Sequence, residues 1–146
     1  MIRVSYEIEV GASPERVWDL MLAPDTYREW TEPFSPGSHF VGGWETGDKI
    51  LFLSADAQQG MVSRIAESRR PHLITIEHLG IVEHGVEVTE GEKASAWAPS
   101  TEEYVFEPTP QGTRLHVAMD SAPEYVQFFD EKWPVALARL KALAES

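Results

Sequence analysis

The first ten residues alternate strictly between apolar and polar side chains. Every even position from Ile2 to Val10 is apolar, and every odd position between them is polar. A period of two predicts a β-strand with one face packed against a core and the other in water. Gly11 follows directly and ends the strand.

Two short helices are predicted after this strand. Ser13 is a typical N-cap, and Pro14 suits the first helical position because it lacks an N–H that would have no partner there. Apolar residues then recur at helical spacing to about Leu22. Pro24 opens a second short helix that runs to Trp30.

The middle of the chain predicts an antiparallel meander, because extended segments recur about every ten residues with Gly and Pro turns between them. These segments are Phe40–Val41, Lys49–Ser54, Met61–Ser68, His72–Glu83, Glu102–Glu107 and Thr113–Asp120. Residues 84–100 interrupt the pattern with two glycines, a proline and three glutamates. We expect this segment to be a solvated, mobile loop or a frayed hairpin tip.

The C-terminal segment predicts one long amphipathic helix over residues 122–144. Ser121 and Glu124 have the spacing of a capping box. At 1.5 Å per residue the helix would be roughly 34 Å long. Its apolar stripe consists of Tyr125, Phe129, Trp133, Ala136, Leu140 and Leu143.

Helices kept apart from a run of antiparallel strands define an α+β fold. A single amphipathic helix of this length requires an equally long apolar surface, which a curved sheet supplies. Residue parity predicts the inner face of that sheet as Ile2, Val4, Tyr6, Ile8, Val10, Ile50, Phe52, Ile74, Ile76, His78, Tyr104, Phe106, Leu115, Val117 and Met119. The parity of strand 61–68 is ambiguous.

The order and spacing of several segments resemble the START-like (SRPBCC) helix-grip superfamily, in the branch similar to the activator of heat-shock protein 90 ATPase homologue. These segments are Ser13-Pro-Glu-Arg-Val-Trp18, Tyr27-Arg-Glu-Trp-Thr31, Gly42-Gly43, Gly60-Met-Val-Ser-Arg-Ile65, Glu103-Tyr-Val-Phe106, Phe129-Asp-Glu-Lys-Trp-Pro134 and Ala136-Leu137. The resemblance spans nearly the whole chain. It implies a seven-stranded curved antiparallel sheet wrapped around the C-terminal helix, with a cavity between them.

Composition narrows the functional classes. The 146 residues suit a single START-like domain, and 24 acidic against 12 basic residues give a formal charge of −12. Such a field repels nucleic acids and anionic membranes, so neither is an expected partner. No secretory signal or membrane-spanning run is visible, so we expect a cytoplasmic protein, either a monomer or a homodimer.

The residue pattern predicts no metal, no cofactor and no catalytic nucleophile. Cysteine is absent, and there is no Gly-rich phosphate loop or Gly-x-Ser-x-Gly motif. His78 and His84 look like paired ligands, but on an extended segment they would lie roughly 20 Å apart. They therefore cannot share one ion unless the strand folds back.

His78 is the one histidine that parity turns inward, where it is either a satisfied core residue or a polar handle for a ligand. Glu102 is the inward acid expected on a neighbouring strand, or else an acid at the sheet rim. If the strands bring the two within hydrogen-bond reach, they form an acid–base pair.

The aromatic residues favour a ligand cavity, although core packing alone would also explain Trp18 and Trp133. The predicted cavity residues are Tyr6, Trp18, Trp30, Phe34, Phe40, Trp44, Phe52, Ile76, His78, Glu102, Tyr104, Met119, Tyr125, Phe129 and Trp133.

Three functions compete. The first is binding of a small, mostly apolar ligand, with His78, Tyr6 or Tyr104 fixing its orientation. The second, implied by the resemblance, is a protein-interaction module with a chaperone as a partner, using the acidic surface and residues 84–100. The third, implied by the resemblance to the wider superfamily, is a cyclase, dehydratase or hydrolase that uses the same cavity.

Overall fold

The strand predicted at the start of the chain forms one edge of an antiparallel sheet. The computed structural model describes all 146 residues. The strands are β1 (Ile2–Val10), β2 (His39–Gly42), β3 (Lys49–Leu53), β4 (Gln59–Arg69), β5 (Leu73–Glu83), β6 (Val86–Val88), β7 (Ser100–Thr109) and β8 (Gly112–Ser121). The helices are α1 (Pro14–Leu22), α2 (Pro24–Trp30), α3 (Glu92–Ser95) and α4 (Val126–Glu145). None of these helices combines the length and the apolar character needed to cross a bilayer.

Seven strands form a continuous path in the order β1-β8-β7-β5-β4-β3-β2, with every pair antiparallel. This confirms the predicted helix-grip architecture. The eighth strand, β6, pairs only with β5.

Segment 84–100 is more regular than the predicted solvated loop. His84 and Gly85 form a two-residue turn between β5 and β6, and both have positive φ, 53° and 74°. Two left-handed residues in succession match the right-handed twist of a hairpin. The hairpin alternative was therefore the correct one, and the same segment also contains α3.

The predicted inner face is buried along most of its length. Ile50, Ile74, Ile76, Phe106 and Leu115 are almost fully buried and belong to one core of 21 residues. Ile2 is an exception, because it lies at the end of the edge strand and is exposed.

An irregularity between β4 and β5 explains the ambiguous parity of the fourth strand. Ile65 pairs with Ile76 and Glu67 with Thr75, so Ala66 is an extra residue on β4. Val62 and Ser63 are both buried, but in different surroundings. Val62 packs with a small outer cluster, whereas Ser63 faces the core side with His78. A bulge changes parity part-way along a strand, so alternation alone could not assign it.

The predicted capping box at Ser121 is wrong. Ser121 is the last residue of β8, paired with Ile2, and its hydroxyl donates to the Ala122 carbonyl. A 3-10 turn over Pro123–Tyr125 follows, and α4 begins at Val126 without a side-chain cap. The sheet ladder continues through Ser121, which leaves that residue no freedom to cap a helix.

The buried face of α4 consists of Trp133, Ala136, Leu137, Leu140 and Ala144. This face packs against β1, α1 and α2 and joins the main core. Tyr125, predicted to begin the stripe, precedes the helix and is 41% exposed. The helix therefore covers the sheet along its C-terminal half, while its first two turns border a cavity.

Candidate functional site

A cavity of about 290 Å³ lies between the start of α4 and the inner face of the sheet. Its wall is mainly aromatic, with polar groups gathered where β5 and β7 run side by side. The lining residues are Tyr27, Trp30, Thr31, Phe34, Ser38, Phe52, Met61, His78, Trp97, Ser100, Glu102, Tyr104, Met119, Asp120, Phe128, Phe129 and Trp133.

Four side chains from three neighbouring strands form the polar end. Ser63 lies directly opposite His78, and its Oγ is 2.6 Å from His78 Nδ1. On the other side of the ring, His78 Nε2 lies 3.1 Å from Glu102 Oε1. The Tyr104 hydroxyl donates to the second oxygen of Glu102. The result is a continuous chain, Ser63–His78–Glu102–Tyr104.

The hydrogen bonds assign the proton on His78. Ser63 is fully buried, and the one acceptor within reach of its hydroxyl is His78 Nδ1. A buried hydroxyl that does not donate costs about 1–3 kcal/mol, so Ser63 donates and Nδ1 accepts. The ring proton is then on Nε2, which donates to Glu102. In this arrangement Glu102 accepts from the His78 ring N–H and from the Tyr104 hydroxyl.

Burial keeps the tyrosines of the cavity protonated. It raises the pKa of Tyr104 well above the ordinary value, and the Glu102 charge raises it further. Burial, followed by the same carboxylate, also raises the pKa of Tyr27. Both phenols are hydrogen-bond donors at any physiological pH.

A second carboxylate, that of Asp120, also lines the cavity. It accepts from the Thr101 backbone N–H at 2.9 Å and from Arg3 Nη1 at 3.1 Å. Burial acts to raise the pKa of Asp120, but these hydrogen bonds outweigh it and lower the pKa overall. Asp120 is thus a stabilised anion with its own cationic partner.

Two indole N–H groups of the aromatic wall are bonded within the protein. Trp133 Nε1 donates to the Met119 sulfur at 3.2 Å, and Trp30 Nε1 donates to the Met21 carbonyl at 3.0 Å. The ring of Trp133 packs edge-on against Phe34, with centroids 4.9 Å apart. These indoles therefore offer a ligand apolar ring surface rather than hydrogen bonds.

Nine of the fifteen predicted cavity residues meet at this cavity. They are Trp30, Phe34, Phe52, His78, Glu102, Tyr104, Met119, Phe129 and Trp133. The structure also meets the condition set for an acid–base pair, since His78 and Glu102 are within hydrogen-bond distance.

The other six lie elsewhere. Tyr6 does not line the cavity: it stacks on Trp133 and donates its hydroxyl to Asp130 at 2.7 Å. Trp18 packs against Phe106. Ile76 is fully buried in the core. Phe40 and Trp44 pack on the wall residues Tyr27 and Phe52 without lining the cavity themselves. The exposed Tyr125 packs on Trp97.

Several lining residues escaped the sequence reasoning. Trp97 lies in the segment expected to be a solvated loop, although a tryptophan there was a signal against that interpretation. Phe128 directly precedes the predicted Phe129, and Tyr27 lies one turn before Trp30. Ser63, which bonds to His78 without lining the cavity itself, was hidden by the β4–β5 irregularity. No three His, Asp or Glu side chains are grouped in a way that suits a metal ion.

This architecture defines a helix-grip protein with an internal cavity. The family model described as "Polyketide cyclase / dehydrase and lipid transport" matches residues 1–145, so the chain belongs to that family. This finding confirms the START-like resemblance.

Solved structures share the fold at low sequence identity. A protein from Mesorhizobium loti superposes with a TM-score of 0.75 at 14% identity, covering 97% of this chain and 96% of that one. The Aha1 dimer from Colwellia psychrerythraea gives 0.74 at 17% identity, covering 99% and 97%. An AHSA1-like protein from Aeromonas hydrophila gives 0.64 at 14% identity, covering 97% and 90%. Among curated proteins, none matches this sequence significantly.

Proposed function

We propose that the protein binds a small, mostly apolar molecule in the cavity between α4 and the sheet, with the polar group of that molecule at Glu102 and His78. The observation that carries this proposal is space of about 290 Å³ inside an aromatic wall, left unfilled by the protein's own side chains. Membership of a family described by lipid transport and polyketide chemistry supports it.

The energetics suit a weak to moderate binder. A ligand that loses roughly 200 Å² of apolar surface to the cavity gains about 5 kcal/mol, at about 25 cal/mol per Å². The cost of lost translational and rotational freedom consumes much of that gain. Hydrogen bonds at the polar end therefore decide which apolar molecules bind with useful affinity.

Native mass spectrometry of freshly purified protein tests the proposal, with titration by the neutral fluorescent probe N-phenylnaphthylamine as a second measurement. Ser100 lines the cavity on β7, so S100F fills the space and abolishes probe binding. S5F, the same change at an exposed position of β1, leaves binding intact. Equal probe binding by both variants would place the ligand elsewhere and refute the proposal.

A second candidate, an acid–base enzyme working in the same cavity, is favoured by the 3.1 Å contact between His78 and Glu102. Proton transfer by such a pair requires it to face the bound molecule, and both residues line the cavity. Incubating a co-purified ligand with wild type and H78N tests this candidate. A ligand mass that wild type never changes would leave binding as the function.

A chaperone partner stays a prediction for the outer surface. In segment 84–100, Val86 of β6 is 61% exposed beside acidic side chains, which suits a protein contact. Co-purification with a chaperone at low and high salt checks this prediction independently of the cavity.

A further inference from the structure

We propose that the cavity selects an organic cation, a small protonated amine whose charged nitrogen lies at Glu102 and whose apolar part lies among the aromatic rings. This inference rests on the proposed function. The proposal names the charge of the ligand, which the family does not specify.

The first argument is uncompensated negative charge. The Glu102 side chain is only 14% exposed, and its two hydrogen-bond donors are a histidine ring and a phenol, His78 and Tyr104, rather than a lysine or an arginine. A carboxylate has about four acceptor sites, so each oxygen retains capacity for another donor from the cavity. Removing an anion from water without a counter-charge is costly, and a bound cation offsets that cost.

The second argument is the absence of positive charge from the wall. Glu102 and Asp120 line the cavity, and neither lysine nor arginine does. Arg3 reaches Asp120 from outside the cavity and makes no hydrogen bond to Glu102. An anionic ligand, such as a fatty acid, would place its carboxylate against Glu102 with no cation to receive it.

The third argument is the aromatic wall beside Glu102. Tyr104 and Trp133 pack edge-on with centroids 6.3 Å apart, and Phe52 packs edge-on against His78 at 6.0 Å. Ring faces attract cations through their quadrupole, by about 0.5–1 kcal/mol when exposed and about 2 or more when desolvated. Aromatic rings around a carboxylate therefore favour an ammonium group over a neutral polar group of equal size.

Three probes that share one phenyl ring and one three-carbon chain test the inference: phenylpropylamine, phenylpropanol and phenylpropanoate. Isothermal titration at pH 7 is expected to show the amine binding at least about tenfold more tightly than the alcohol, as a charge-assisted hydrogen bond contributes. The carboxylate binds weakest. E102Q abolishes the preference for the amine over the alcohol, and a thermal melt of the variant shows that it is folded.

E103Q is the matched control. Glu103 is the next residue on β7, outside the cavity lining, and the variant makes the same change in net charge. It retains the amine preference, which excludes general attraction by the acidic surface. Equal binding of amine and alcohol to wild type overturns the cation inference while the proposed function stands. Failure of all three probes and of N-phenylnaphthylamine overturns both.

Discussion

The Nε2 atom of His78 lies 3.1 Å from Oε1 of Glu102, although the two residues are not directly opposite in the sheet. His78 pairs with Ser100 across β5 and β7, and Glu102 pairs with Ile76. The contact is therefore diagonal, between side chains two residues apart in register, a separation that long polar side chains can span. This geometry places both polar groups on the concave face, at the edge of the cavity.

The protonation of His78 is open to direct measurement. Since Ser63 donates to Nδ1, we expect the neutral tautomer with its proton on Nε2. Nitrogen-15 NMR of the labelled imidazole at pH 7.5 distinguishes the two tautomers by the shifts of the two nitrogens. A spectrum showing Nδ1 protonated would reverse the direction of the whole hydrogen-bond chain.

Removing the Ser63 hydroxyl is expected to destabilise the protein. S63A leaves the buried Nδ1 of His78 without a donor, which costs about 1–3 kcal/mol of the free energy of unfolding. Urea denaturation measures this loss. S68A is the control, because Ser68 lies on the same strand and its side chain has no hydrogen bond. Equal stability of S63A and wild type would show that the hydroxyl contributes nothing.

Trp133 joins the cavity wall to the core, so W133A is expected to cost about 3–5 kcal/mol of the free energy of unfolding. The indole is almost fully buried against Phe34 and Met119. V135A, two residues along the same helix at a 49% exposed position, changes stability by less than about 0.5 kcal/mol. Chemical denaturation of both variants makes the comparison, and a loss below 1 kcal/mol for W133A would contradict it.

The carboxylate of Asp120 is expected to make the free energy of unfolding depend on pH. Its pKa in the folded protein is lowered below the ordinary 3.8, so its contribution is present above that value. The contribution is lost as pH falls through the lower, folded-state pKa. D120N lacks this contribution at every pH. We therefore expect the stability difference between wild type and D120N to be largest near neutrality and to shrink below about pH 4, as followed by thermal melts across pH.

The β5–β6 turn is expected to tolerate asparagine in place of His84 but not alanine in place of Gly85. Gly85 has a φ of 74°, so G85A forces a side chain into the left-handed region and destabilises the hairpin by about 1 kcal/mol. H84N places at the neighbouring position a residue that favours this turn, and leaves stability unchanged or slightly higher. Thermal unfolding of the two variants should differ in that order, and the reverse order would contradict the turn assignment.

Much of the fold was predictable because its strands are regular. The alternation of apolar and polar residues in β1 and β8 predicts one buried face of the sheet. The inward parity of Ile74, Ile76 and His78 adds β5 to that face. The same reasoning brought His78 and Glu102 to one side of the sheet. It misplaced Tyr6, because parity gives the side of the strand but not the distance from the cavity.

The linear order of residues by itself determined which elements form and which face of each is apolar, because these are local properties with periods of two or 3.6 residues. Tertiary structure decided the start of α4, the orientation of Ser63 and the meeting of Ser63, His78 and Glu102. Each of these depends on strand pairing and on a bulge between β4 and β5. Such pairing joins residues 15 and 24 positions apart, a range at which local periodicity carries no information.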